Sequence, residues 1–116
     1  MLPPKLAKKP KRESRWRSQR HLNFVRGHAC SVCGSGEPIE VAHVRLGSGA
    51  GMGQKPNDWR VVSLCKDCHR RQHERGEASF WQAFTAETGL TVDDMVDAFC
   101  KASPVAADIR KVRLDG

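Results

Sequence analysis

No apolar run in this 116-residue chain approaches the roughly 18–20 residues that a membrane-spanning helix needs. The first residues carry positive charge, but no apolar stretch follows them, so they do not read as a secretory signal. These absences exclude a membrane protein and point to a reducing, cytoplasmic setting. There the five cysteines read as metal ligands or thiols sooner than as disulfides. Aromatic residues are scarce at 6%, and hydrophobic residues make up 39%, enough for one core of modest size. A domain that small is often stapled by a structural metal. Internal repeats are absent. The run Gly47-Ser48-Gly49-Ala50-Gly51-Met52-Gly53 lacks the Lys-Ser/Thr ending of a P-loop, so it reads as a flexible loop.

Charge is abundant but uneven. The chain has 20 Lys+Arg against 13 Asp+Glu, a net of +7. Residues 1–28 hold nine basic residues against Glu13 alone, a net of +8. Residues 77–100 hold Glu77, Glu87, Asp93, Asp94 and Asp97 and no Lys or Arg. A basic arm beside a near-neutral body is the electrostatic footprint of nucleic-acid binding. The candidate phosphate contacts are Lys8, Lys9, Lys11, Arg12, Arg15, Arg17 and Arg20. Three segments follow: a Pro- and Lys-rich arm over 1–14, expected to be disordered, a cysteine-bearing core over 15–76, and helices over 77–116 packed on it.

The cysteines supply the strongest motif. Cys30-x-x-Cys33-Gly34 and Cys65-x-x-Cys68 are two halves of a tetrahedral thiolate site, and Zn²⁺ is the cation that matches. A four-thiolate site is closed, so this zinc is expected to hold the fold and do no chemistry. Between the knuckles, 39–46 and 59–64 read as strands, and Lys66–Arg75 reads as a helix stopped by Gly76. His69 and His73 are four apart on that helix, which puts both imidazoles on one face within reach of one cation. His43 lies mid-strand; packed over the helix, it would be aimed at that cation from the other side. Its ordinary pKa of about 6.5 suits activation of water. Further on, Phe80, Trp81 and Phe84 form one helical stripe. Thr91 with Asp94 reads as a capping box before Val92, Met95, Val96, Phe99 and Cys100. These side chains read as core.

The residues Cys30-Ser-Val-Cys33-Gly34, Val41-Ala42-His43-Val44-Arg45 and Leu64-Cys65-Lys-Asp-Cys68-His69-Arg-Arg-Gln-His73 together resemble the HNH endonucleases of the ββα-metal superfamily. The likeness is to the zinc-supported branch, with Lys55-Pro56-Asn57-Asp58-Trp59 and the Gly-rich loop similar to small phage- and prophage-encoded, RecA-dependent-nuclease-like members. It covers about residues 22–81. The resemblance implies an α+β fold: a small, treble-clef-like ββα-metal core stapled by structural Zn²⁺, with C-terminal helices and a basic arm. It implies a metal-dependent endonuclease hydrolysing DNA phosphodiester bonds, with a possible recombination- or replication-related protein partner, in a bacterial or phage-infected cytoplasm. By the resemblance His43 falls at the general base, while His69 and His73 fall at ligands of one catalytic divalent cation. Mg²⁺ is tolerated there, and imidazole itself favours Mn²⁺ or another transition metal. Arg45, expected on the same strand face as His43, is a candidate for the scissile phosphate.

Two departures stand out. The family's metal-ligating Asp or His before the base is Ala42, and its middle Asn, which braces the base, aligns near Arg60. Asn57 or Asp58 takes the bracing role only if the loop is shifted, and Asp58 is alternatively a substitute for the absent carboxylate. The rival readings are a catalytically inactive zinc-binding DNA module on the same scaffold and a zinc-stapled adaptor that binds protein through its acidic C-terminal helix.

Overall fold

A computed structural model of the chain describes residues 2–4, 15–36, 38–48 and 55–115. Lys8, Lys9, Lys11 and Arg12 of the expected arm, and Gly49–Gly53 of the loop, lie outside the described residues.

Helix α1 (Gln19–Arg26) begins at Ser18, whose hydroxyl accepts the His21 amide at 3.2 Å. This satisfies one of the helix's orphan donors. His21 and Val25, four apart, form its buried stripe. Strands β1 (Ile39–His43) and β2 (Val61–Cys65) then pair antiparallel, in a register running from Ile39 opposite Cys65 to His43 opposite Val61. Because strand side chains alternate, Glu40 and Ala42 share one face with Leu64 and Val62. Ile39, Val41 and His43 share the other with Cys65, Ser63 and Val61.

All five residues of β2 are buried, because both faces of the hairpin are covered. On the His43 face, Ser63 Oγ donates to the Ala29 carbonyl at 2.7 Å and lies 3.1 Å from Ser31 Oγ. On the Glu40 face, α2 (Lys66–Arg75) runs back across the sheet.

Both strands differ in extent from the sequence expectation. β1 stops at His43, short of Leu46, because the Arg45 and Leu46 amides turn to the Glu77 carboxylate at 3.1 and 2.7 Å. Gly47 then takes a φ of 73°, the left-handed region where glycine is free of Cβ strain. β2 starts at Val61 instead of Trp59, because the Arg60 amide closes a turn onto the Asn57 carbonyl at 3.0 Å.

The rest follows the expected helical reading. After α2 come α3 (Glu77–Thr88), α4 (Val92–Ala102) and α5 (Ala106–Asp115). Gly89, at φ 78°, closes α3 by donating to the Thr85 carbonyl. Thr91 and Asp94 form the reciprocal capping box of α4 at 2.9 and 3.1 Å. Phe80, Trp81, Phe84, Val96, Phe99 and Cys100 are buried, Trp81 meeting Phe80 and Phe84 edge-on. Ile109 anchors α5, and Arg113 lies over the Trp59 ring, 4.4 Å from its centroid. Among the described residues the architecture is thus mixed α+β, a two-stranded sheet with five helices. Among the described residues no helix is long and apolar enough to cross a membrane.

Candidate functional site

Three groups of side chains surround the hairpin. The first is the cysteine cluster. Sulfur atoms of Cys30, Cys33, Cys65 and Cys68 all lie within 4.8 Å of one another, and Cys33 and Cys65 are 3.6 Å apart. Among the described residues this is the one group of three or more His, Cys, Asp or Glu drawn together so closely. The first knuckle is shaped by the Cys30 amide on the Ser35 carbonyl and the Gly34 amide on the Cys30 carbonyl. Gly34 adopts a φ of 76° to make that turn. Burial opposes ionisation of Cys30, but backbone amides of Cys33, Cys65 and Val32 directed at its sulfur outweigh it and pull the thiol down to about 7. Burial and the neighbouring thiols push Cys68 up. A divalent cation lets all four ionise, and four sulfurs at this spacing can hold one zinc.

The second group centres on His43 and Asp58. His43 Nε2 lies 2.9 Å from Asp58 Oδ1, with the side chains 14% and 5% exposed. A carboxylate only accepts, so Nε2 carries the proton and Nδ1 keeps its lone pair. Burial lowers the His43 pKa below its ordinary value, and Lys55 and Arg17 add to this. Asp58 pulls the other way but does not offset them, so the ring is neutral at pH 7. Asp58 is itself held low: burial resists, yet the bond from His43, the Ser18 amide at 2.8 Å and the Arg17 guanidinium at 3.2 Å prevail. Of the loop residues the sequence offered, Asp58 is the one hydrogen-bonded to His43. Asn57 instead accepts the Trp16 amide at 2.7 Å. Arg60 is buried and ties the turn after β1 to α4, donating to the Val44 and Leu46 carbonyls and to Asp93.

The third group lies on α2. The His69 and His73 rings are 4.8 Å apart between centroids, as their i, i+4 spacing predicts. They line a groove of about 570 Å³ with Glu40, Lys66, Arg70 and Glu74. His69 Nδ1 sits 2.9 Å from Glu40 Oε1. Ala42 shares the face of Glu40 but is 1% exposed in the core and offers no ligand atom. Glu40 and His43, three residues apart, leave β1 on opposite faces, so the His43 pair and the His69 pair stand on two sides of the strand. His43 is therefore not aimed across the strand at the His69 pair in the way the sequence suggested.

Arg45 lies beyond the end of β1, exposed, its amide bonded to Glu77, so it does not continue the strand face of His43. Arg17 is not simply presented to solvent: its guanidinium donates to the Lys55 and Pro56 carbonyls as well as to Asp58. Arg15 is half-buried and Arg20 is exposed at the start of α1.

Residues 2–101 match the family described as "Protein of unknown function (DUF968)". The chain belongs to the DUF968 family. It is also similar to the uncharacterized protein YdfU of Escherichia coli (strain K12), at 35% identity over 72 residues. That match covers 61% of this chain but 20% of YdfU, so the chain spans about a fifth of the curated relative. No solved structure matches it.

Three residues of this DUF968 chain matter to the site and escape the sequence reading. Glu40 is one, legible only once alternation along β1 is set against the helix. Glu77 is another, gathering the Arg45 and Leu46 amides and the Gln72 side chain at the end of the hairpin. His21 is the third. It is fully buried, with Nδ1 2.9 Å from Ser103 Oγ and Nε2 without a hydrogen-bond partner among the described residues. Burial lowers its pKa against the pull of Asp58. Its place four residues before Val25, on the apolar stripe of α1, is the signal that marks it as a core residue.

Proposed function

We propose that the protein is a metal-dependent endonuclease of the HNH type that hydrolyses DNA phosphodiester bonds. The observation that carries this reading is the His43–Asp58 pair. It holds a neutral imidazole with Nδ1 available as a base, on a hairpin whose following helix bears two histidines at metal spacing. On this reading the hairpin and α2 form a ββα-metal core, and Cys30, Cys33, Cys65 and Cys68 hold a structural Zn²⁺.

The residues divide the chemistry. His43 Nδ1 removes a proton from water. The hydroxide oxygen bonds to phosphorus, the bond from phosphorus to the 3′ oxygen breaks, and that oxygen leaves with the electron pair and takes a proton from solvent. Asp58 holds Nε2–H, fixes the ring's tautomer and stabilises the imidazolium as it forms. In an in-line displacement the attacking water and the departing oxygen lie on opposite sides of phosphorus. The imidazoles of His69 and His73 fit a borderline divalent cation, which when bound supplies Lewis-acid stabilisation of charge on the phosphate oxygens and the departing oxygen. Arg45, exposed at the strand end, is a candidate for a phosphate contact. Lys8, Lys9, Lys11, Arg12, Arg15 and Arg20 supply sequence-independent affinity for the DNA backbone, with Arg17 serving mainly to fix Asp58.

The test is supercoiled plasmid incubated with purified protein and Mg²⁺ or Mn²⁺, with and without EDTA. Nicked or linear product that needs the cation and is lost in His43→Ala supports the reading. The buried Ala42, where a ligand is expected, favours a second reading: an inactive zinc-binding DNA module. Plasmid retarded on a gel but uncut with every divalent metal would establish that one instead.

A further inference from the structure

The contact between Glu40 and His69 has no evident structural purpose. Glu40 is 47% exposed at its side chain and His69 23%, and an ion pair so open to water contributes little to stability. Its geometry is nonetheless specific. Glu40 Oε1 meets Nδ1 of His69, the ring nitrogen nearer the backbone. The carboxylate accepts only, so the proton on Nδ1 is directed to Glu40 and it is Nε2 that is left to face a ligand. The neighbouring His73 ring is 4.8 Å away in the same groove. Among the charged residues that line the groove with Glu40, the Arg70 guanidinium is directed along its own helix to Asp67 and Glu74, at 3.5 and 4.0 Å. The only other β1 side chain on this face is that of Ala42, a methyl group in the core.

We infer that Glu40 is the positioning residue of the α2 cation site, orienting His69 and fixing the tautomer that offers Nε2 to a divalent transition metal. Metal-bound histidines characteristically donate their second ring N–H to a carboxylate, which raises ligand basicity and sets the ring's angle. Here the strand that carries no ligand at position 42 supplies that carboxylate two residues earlier, on the same face. The inference rests on the reading of His69 and His73 as cation ligands, and it adds a residue which the four-cysteine and histidine motifs do not contain.

The test is Mn²⁺ binding to the full zinc-loaded chain, followed by calorimetry and by the Mn²⁺ electron paramagnetic signal, with imidazole ¹⁵N shifts reporting the His69 tautomer. Wild type should take one Mn²⁺ beyond its zinc, and His69→Ala should lose it. Glu40→Ala should weaken Mn²⁺ about 10–100-fold and shift His69 toward a mixture of tautomers. Glu40→Gln keeps an acceptor oxygen and should recover part of the affinity and the Nδ1–H form. Both variants change an exposed side chain, and unaltered zinc content will verify that each is folded. Unchanged Mn²⁺ affinity and unchanged His69 shifts in Glu40→Ala, with His69→Ala still losing the ion, would overturn the role of Glu40 alone. Wild type binding no Mn²⁺ beyond zinc would overturn the α2 cation site and this inference with it.

Discussion

Replacing Asp58 by Asn isolates the electrostatic part of the His43 pair. Asn keeps an acceptor oxygen at nearly the same volume and removes the charge. His43 Nε2 and Asp58 Oδ1 are 2.9 Å apart and both side chains are largely shielded from water, so screening is weak. An opposite charge at such range shifts a pKa by about 1–3 units. In the wild type that pull already fails to offset burial, Lys55 and Arg17, which leave His43 below its ordinary value. Without it, the ring should titrate about 1–3 units lower still, or about 1.4–4 kcal/mol of differential stabilisation. A pH titration of the His43 ring followed by NMR measures this directly and needs no activity. In the cleavage assay the working form is neutral His43, so the rate should rise with pH through the His43 pKa and then level. In Asp58→Asn the rising limb should move to lower pH, while the plateau falls because a less basic ring accepts a proton less readily. The loss should stay within the roughly 10²–10⁴-fold that a general base contributes altogether. A His43 pKa that is unchanged or higher in Asp58→Asn would refute the electrostatic account of the pair. A rate limb that stays in place while the ring's pKa falls would detach His43 from the reaction.

Cys65→Ser should leave the body unfolded by circular dichroism and without zinc by elemental analysis. Zinc in such sites contributes on the order of 10 kcal/mol, as much as a small domain's whole stability; folded wild type lacking zinc would contradict this. Deleting residues 1–14, which carry five basic residues against Glu13, should weaken DNA binding. If about three of those charges meet phosphates, the slope of log affinity against log salt should flatten by about 3 units. An unchanged slope would remove the arm from the interface. His21, kept neutral by burial, has its folded pKa below the ordinary 6.5. Its stabilising contribution is therefore complete above about pH 6.5 and is lost as pH falls toward the folded value, at up to about 1.4 kcal/mol per pH unit. His21→Gln should flatten that part of the urea-denaturation profile, and a profile identical to wild type would mean that His21 protonates without cost.

What could be read in advance was whatever rests on short-range pattern. The helix boundaries at Gly76, Gly89 and Thr91 depend on local capping chemistry, and the structure has each where the residues call for it. The clustering of Cys30, Cys33, Cys65 and Cys68 was legible because two Cys-x-x-Cys pairs make a ready tetrahedral ligand set. The facing of side chains across the hairpin was not. Whether His43 looks toward α2 or away from it depends on the parity of its position relative to Glu40, and on which face the helix covers. No local signal states the latter. The brace on His43 was ambiguous for a related reason. Asn57, Asp58 and Arg60 sit within four residues; Asn57 and Asp58 are told apart by residues 16–18, about 40 positions away, and Arg60 by Val44, Leu46 and Asp93.

Those distant residues also explain how a carboxylate in a loop can hold an imidazole steadily. Trp16 gives its carbonyl to the Asp58 amide at 2.9 Å and its amide to Asn57, while the Ser18 amide holds Asp58 Oδ2. Ser18 is at the same time the cap of α1, so the strap continues into a helix that packs on both strands. Asp58 Oδ1 is left to face His43 from a position that the strand, the loop and α1 all constrain. A site held by packed neighbours in this way is preorganised without waiting for a ligand. The α2 groove is constrained separately, through Cys65 and the buried Cys68 and Gln72. Cys65 is the last residue of β2, the N-cap of α2 and a member of the sulfur cluster. A cation on its sulfur would fix the angle at which α2 leaves the sheet, and that angle decides whether His69 reaches Glu40. Loss of metal from the cysteines should therefore release α2 and the His69–Glu40 contact, and the His43–Asp58 pair is lost with them as the body unfolds.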